Sequence, residues 1–110
     1  MKTQQPILTT SIFAVEDLPE QVFVGFDGKV CKAGKKALGV VNADTAADNM
    51  APADVLGVIL VAAGAAIAAG SDVESDANGR AIPKTTGVIN GTAWDEATAT
   101  GDVIRIVRGI

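Results

Sequence analysis

The chain has 110 residues, a formal net charge of −4 and 48% hydrophobic residues, which fits one folded domain and argues against a disordered tail. The acidic balance argues against non-specific nucleic-acid binding, which needs a net positive face. With no histidine and one cysteine, the sequence lacks a Ser–His or Cys–His catalytic arrangement, a histidine metal site and an internal disulfide. We therefore expect no enzyme activity, no cofactor and no metal.

The aliphatic residues indicate β structure. Valine and isoleucine together number 22 and leucine numbers 5, and branching at Cβ favours strands over helices. The 12 glycines and 4 prolines recur at intervals that suit short strands and turns. Neither a signal peptide nor a membrane span is predicted, because the long uncharged stretch that contains residues 55–70 is shorter than the roughly 20 apolar residues that a helical span needs.

The first residues predict an N-terminal arm. We divide the chain into an arm over residues 1–19 and a single β domain over residues 20–110. The lead up to Ser11 is polar and rich in threonine and glutamine, and Pro6 disfavours a helix there. Such a lead is either a frayed terminus, the commoner case, or an arm that orders on a partner.

The clearest local prediction is a β-hairpin over residues 21–32. Its first strand places Val22, Val24 and Phe26 on one face, because side chains alternate along a strand. The Asp-Gly pair that follows suits a tight turn, since glycine accepts a positive φ. Residues 29–32 are predicted to return as the partner strand.

The middle of the chain combines a loop with a strongly apolar strand. Residues 42–54 lack periodicity and contain Pro52, so we predict a long loop, either a contact loop or a tolerated surface insertion. Residues 55–61 are apolar on both faces, unlike an ordinary surface strand. We expect one face to pack on the core and the other to be covered by a short helix or a neighbouring subunit.

Further short strands complete the predicted architecture. They are expected at residues 39–41, 72–75, 80–82, 87–90 and 102–108. Seven or eight short strands with glycine-rich turns favour an all-β small barrel or sandwich with an extended N-terminal arm.

Three single residues have two readings each. Trp94 is either a core plug or an interface anchor. Arg105 either extends to solvent, the commoner case, or bridges to a carboxylate across a subunit contact. Cys31 is expected to be a buried inert thiol rather than a nucleophile, because the sequence has no histidine to activate it.

Four lysines form the basic cluster of the sequence: Lys29, Lys32, Lys35 and Lys36. They are either a patch that complements an acidic partner surface or solvated hairpin edges that oppose sheet-to-sheet aggregation, and we favour the second. The glycines around them lack the spacing of a phosphate-binding loop. The acidic alternation at residues 72–78 likewise does not match a calcium loop.

The order of several Gly-, Ala- and Val-rich segments resembles that of the capsid decoration (cement) proteins of tailed bacteriophages. The segments include VFVG and DG within residues 22–28, AAGAAIAAGSDV at residues 62–73, DANGRA at residues 76–81 and GDVIRI at residues 101–106. The resemblance covers roughly residues 20–110.

This resemblance implies a β-rich fold, no catalysis and binding to the exterior of a phage head. We expect a structural virion protein, made in the host cytoplasm, that binds the major capsid protein and stabilises the shell as a homo-oligomer, either a trimer or a dimer. No nucleic-acid or membrane partner is expected. The alternatives are another virion component, such as a tail subunit, and a small β-barrel binding module. The candidate partner-binding residues are Pro6, Ile7, Leu8, Ile12 and Phe13 in the arm, together with Trp94.

Overall fold

A computed structural model describes residues 2–110, and every regular element within them is a β-strand. The eight strands are β1 (Gln5–Phe13), β2 (Phe23–Val24), β3 (Gly39–Val41), β4 (Met50–Ala62), β5 (Asp72–Ser75), β6 (Ala81–Pro83), β7 (Gly91–Ala93) and β8 (Val103–Arg108). The prediction of an all-β fold is confirmed. Within residues 2–110 no helix is long and apolar enough to cross a membrane.

The strands belong to one antiparallel sheet that is not closed into a barrel. Its order is β2-β3-β4-β8-β7-β5-β6, and β1 pairs with β4 off this path. An isolated bridge joins Ala63 to Ala81, and the Phe23 amide donates to the Gly79 carbonyl at 2.7 Å. These contacts bring the β6 end of the sheet back against β2 and the end of β4, so that the sheet curls around its core.

Strand β4 organises the sheet, because β1, β3 and β8 all pair with it. The strand predicted over residues 55–61 is confirmed as its second half. The long loop predicted over residues 42–54 is wrong for residues 50–54, which pair with β1 and β3. Residues 50–54 lack hydrophobic periodicity because they include small side chains and an aspartate. They form a strand because β1 and β3, from other parts of the chain, pair with them.

The core consists of two clusters of buried side chains. The larger one lies inside the curled sheet and includes Phe23, Ile59, Ile104 and Ile106. The smaller one packs Leu18 against residues of β2, β3 and β4. Full burial of one such large aliphatic or aromatic side chain contributes about 1.5–3 kcal/mol, so these residues hold the sheet in its curled form.

The hairpin predicted over residues 21–32 is reduced to a short strand and a turn. The Gly25 amide donates to the Lys29 carbonyl at 2.8 Å, which turns the chain directly after β2. Val30 keeps one bridge to Val24, and β2 pairs instead with β3. The turn also ends the alternation of faces, so Phe26 is 64% exposed and does not share the buried face of its predicted neighbours.

The N-terminal segment forms an ordered, bulged strand, so the prediction of a frayed terminus is wrong. Residues 5–13 run antiparallel to residues 50–58 of β4 over the length of β1. The division into an arm over residues 1–19 and a domain over residues 20–110 stays a prediction. The strand predicted at residues 87–90 lies instead at Gly91–Ala93, and Thr85 in the preceding loop is hydrogen-bonded to Glu74.

Candidate interaction surface

Strand β1 is an edge strand. Asp54 of β4 pairs with Thr9 of β1 and also with Val40 of β3, and two such partners must lie on opposite edges of β4. Within residues 2–110 no strand pairs with the other edge of β1. Every residue of β1 except Ile12 is exposed. Its outer N–H and C=O groups are therefore available to an extended segment of another chain.

Ile7 occupies a bulge in this edge strand. Pro6 pairs with Gly57 and Leu8 pairs with Leu56, which leaves Ile7 as an extra residue with an 83% exposed side chain. Gly57 has a φ of +108°, and a Cβ added to it would lie 2.8 Å from the Ile7 nitrogen. Glycine at this position therefore lets the bulged strand approach β4 closely.

The other candidate residues of the arm divide between surface and core. Pro6 is exposed, and Leu8 and Phe13 are 46% and 50% exposed. Ile12 is half-buried and packs against the smaller core cluster. The exposed members present apolar area to a partner, whereas Ile12 anchors the strand to its own fold.

A buried carboxylate ties β1 to the body of the sheet. Asp54 is fully buried, and its Oδ1 accepts hydrogen bonds from Thr9 Oγ1 at 2.7 Å and from Asn42 Nδ2 at 3.1 Å. Its Oδ2 has no hydrogen-bond partner among the described residues. Sequence reasoning missed this residue, although a lone aspartate at the start of an apolar strand is a signal for a buried polar contact.

Trp94 directly follows β7 and is held in a fixed arrangement. Its ring centroid lies 4.1 Å from the Arg105 guanidinium carbon. Arg105 Nε and Nη2 donate to the two carboxylate oxygens of Asp95 at 2.9 and 2.8 Å, and these bonds lower the pKa of Asp95 to about 2. Trp94 is 51% exposed, which contradicts the core-plug reading. Arg105, expected to extend to solvent, instead pairs with its near neighbour.

The arm and Trp94 share one face of the sheet. Leu8 lies opposite Leu56, and alternate residues along β4 lie on the same face. Val58 then lies opposite Val107, and Leu60 opposite Arg105, whose side chain covers Trp94. We call this surface the outer face and define it by Leu8, Leu56, Val58, Leu60, Trp94, Arg105 and Val107. Its β4 and β8 members are half-exposed or exposed, and within residues 2–110 no helix covers them.

A rigid loop extends the outer face at its edge. Glu74 is buried, and its Oε1 accepts hydrogen bonds from the Thr85 amide at 2.8 Å and the Thr85 hydroxyl at 2.7 Å. These bonds lower the pKa of the Glu74 carboxyl. The anchored loop displays Val88 and Ile89, and Ile89 lines a cavity of about 160 Å³ together with Leu56 and residues of β8.

The surface offers shape and apolar area rather than reactive groups. Burial raises the pKa of the Cys31 thiol, which disfavours the nucleophilic thiolate. Across residues 2–110, no three metal-ligating side chains come together. What the geometry can do is pair a strand and bury apolar side chains against another protein.

Comparison with known protein families defines the class of this chain. The model of the phage cement protein family matches residues 1–108, and the chain belongs to that family, as the sequence resemblance predicted. The structure is similar to the head fiber gp8.5 N base of bacteriophage phi29, with a TM-score of 0.74 over 91% of this chain and 92% of that chain at 18% identity. That likeness shows a shared fold. No curated protein matches the chain.

Proposed function

We propose that this chain is a non-enzymatic protein that binds the outer surface of a phage head and stabilises the shell. Its partner is the major capsid protein, and β1 provides the contact together with Trp94. Membership of the phage cement protein family supports a role in the head. The observation that supports this contact is the exposure of β1, whose outer edge has no strand partner within residues 2–110.

Two kinds of interaction combine at this contact. An extended capsid segment that adds to the edge of β1 would satisfy its free backbone groups. The exposed side chains of Ile7, Leu8 and Phe13 would then bury apolar area, which contributes about 25 cal/mol per Å² before the costs of association are subtracted. Repetition over many copies of the shell subunit strengthens contacts that are weak singly.

Trp94 is the second anchor residue that we propose for this contact. Tryptophan and arginine are the residues most enriched at the energetic centres of protein interfaces. Here the Arg105 guanidinium is held by Asp95 and stacks on the ring, so the anchor is ordered before a partner arrives. Less side-chain freedom is then lost on binding, which favours affinity.

We also propose that the protein is a homo-oligomer on the capsid, a trimer or a dimer, located on the exterior of the virion. The half-exposed residues Val58, Leu60 and Val107 of the outer face support a contact between copies. Such a contact would bury the second face of β4, because a strand that is apolar on both faces is usually covered on both.

The decisive experiment mixes the purified chain with matching undecorated heads and images them by cryo-electron microscopy. We expect regular added density on the exterior at saturating concentration, and its absence would overturn the proposed function. Stacked rings formed by the protein alone would instead favour a tail subunit.

The arm is tested separately with variants. Deletion of residues 1–13 and the substitution Trp94→Ala should each weaken binding to heads by about tenfold or more, the loss expected when an interface anchor is removed. Lys84→Ala, an exposed site outside both regions, is the matched control. Unchanged affinity of the arm deletion, with its fold intact by circular dichroism, would overturn the role of β1 alone.

A further inference from the structure

We propose that the loop between β2 and β3 is a second docking site, which binds an acidic protein segment that carries an apolar side chain. The site is a cavity of about 330 Å³ that we call the lysine groove, lined by Gly25, Phe26, Asp27, Val30, Cys31, Lys32, Lys35 and Lys36. It shares no residue with β1 or with the Trp94 cluster. The proposal therefore does not rest on capsid binding.

The charge of the groove is opposite to that of the chain. Three lysines against the single carboxylate of Asp27 give its lining a net charge of +2 (3 − 1), whereas the whole chain carries −4. Within residues 2–110 the one ion pair closer than 4.0 Å joins Arg105 to Asp95. None of the lysines of the groove therefore has a carboxylate from the described part of the chain within 4.0 Å, and a partner that supplies carboxylates would relieve their mutual repulsion.

The lysines do not guard a strand edge. All four members of the basic cluster lie outside the strands and are exposed. The preferred reading from sequence, solvated hairpin edges that oppose sheet-to-sheet aggregation, therefore loses its structural basis. The other reading, a patch that complements an acidic partner, agrees with their position around a groove.

An exposed aromatic ring lies among these charges. Phe26 is 64% exposed, and it lies within the tight turn that begins at Gly25. The half-buried Val30 and the buried Cys31 add apolar lining to the groove. An aromatic ring beside a partly enclosed apolar surface is the usual form of an interface anchor. The partner should therefore insert an apolar side chain between its carboxylates.

The loop is held rigidly although it has no regular secondary structure. Asn90 is buried, donates from Nδ2 to the Lys35 carbonyl at 2.9 Å and accepts at Oδ1 from the Ala37 amide at 3.0 Å. The Gly34 amide donates to the Ser75 carbonyl at 3.0 Å. These bonds fix the backbone that carries the lysines, so little ordering is required when a partner binds.

The surroundings favour a short acidic peptide segment over a nucleic acid. A polynucleotide would extend beyond the groove and meet a chain with 13 acidic residues against 9 basic ones, which repels a long polyanion. A peptide segment can place a few carboxylates on the lysines and its apolar side chain on Phe26 without leaving the positive patch.

The test uses the full purified chain and a fluorescently labelled peptide of glutamates around one leucine, measured by fluorescence anisotropy. We expect saturable binding that weakens with added salt. The double variant Lys32→Glu and Lys35→Glu should lower affinity by about tenfold or more, and Phe26→Ala by a similar factor. Lys84→Glu makes one such charge reversal at an exposed lysine outside the groove and should leave binding within about twofold.

Five results would overturn the proposal. Equal binding by the wild type and the double lysine variant would remove the site, as would the absence of any binding. Equally tight binding of an all-glutamate peptide would remove the apolar anchor. Equally tight binding of a single-stranded DNA of matched charge would make the groove a general polyanion site. Self-association of the wild type that the lysine variant abolishes in sedimentation would assign the groove to a second copy of this chain.

Discussion

Strands β1 and β8 both run antiparallel to β4, yet only β8 contributes fully buried large side chains to the core. Ile104 and Ile106 of β8 are fully buried, whereas every residue of β1 except Ile12 is exposed. Backbone pairing and side-chain burial together hold β8, while β1 depends mainly on its ladder of hydrogen bonds. Membership of a sheet therefore does not imply membership of its core, and we expect β1 to have the lower local stability that binding segments usually show.

Two local features decide how firmly β1 is held. The buried carboxylate of Asp54 accepts a hydrogen bond from Thr9 of β1, and Gly57 provides the room in which the bulged part of β1 approaches β4. Neither feature places a large apolar side chain of β1 in the core. Substitutions can therefore loosen β1 and leave the rest of the sheet unchanged.

The largest expected effect is that of shortening a buried side chain of β8. Ile106→Ala should lower the free energy of unfolding by about 2–5 kcal/mol, because it leaves a cavity in the core. The same chemical change in β1, Ile7→Ala, should stay within about 0.5 kcal/mol. Urea unfolding of both variants measures the difference. Similar losses for the two would contradict the view that β1 lies outside the core.

The next largest effect should be confined to β1. A Cβ in Gly57→Ala would lie 2.6 Å from the Gln5 carbonyl oxygen at a φ of +108°, a strain of about 1–3 kcal/mol. Detachment of the start of β1 relieves the steric clash with Gln5, so amide hydrogen exchange should accelerate in β1 and not in β8. Gly70→Ala is the control, since Gly70 has a positive φ and nothing within 4 Å of an added Cβ. Equal exchange in β1 for both variants would contradict this account.

A smaller effect is expected at the side-chain link. Thr9→Val removes the hydroxyl that donates to Asp54, and a hydrogen bond of this kind contributes about 0.5–1.5 kcal/mol. Hydrogen exchange in β1 should accelerate accordingly. Thr10→Val, at the next exposed position of the same strand, is the matched control. No difference between the two variants would show that the ladder alone holds β1.

The smallest effect concerns the pH dependence of the Trp94 cluster. The pKa of Asp95 is lowered from 3.8 to about 2 by Arg105, so the stabilisation is complete above pH 3.8 and is lost as the pH falls toward 2. The chain has one tryptophan, so its fluorescence should report release of Arg105 with a midpoint near pH 2. Asp95→Asn should abolish that transition, and a wild-type midpoint near pH 4 would contradict the pairing.

Much of the candidate surface could be predicted from the sequence, but the sequence did not show exactly which residues belong to it. Apolar residues in a polar lead indicated the arm, and Ile7, Leu8 and Phe13 are indeed exposed. Ile12 has the same chemistry but packs inward. The bulges in β1 change which of its side chains lie on the core face of the sheet. Asp54 and Glu74 were missed, since the sequence does not show which carboxylates a fold buries and surrounds with donors.

The sequence by itself determined the secondary-structure class. Its surplus of β-branched residues over leucine disfavours helix at each position, and its glycines and prolines space out short strands, a local property that needs no knowledge of partners. Only the tertiary structure decided that residues 50–54 pair, that β1 is an ordered edge strand and that Phe26 is exposed. Those outcomes depend on contacts between residues far apart in the sequence, such as Thr9 and Asp54 at a separation of 45 positions. Local conformational preferences do not encode such contacts.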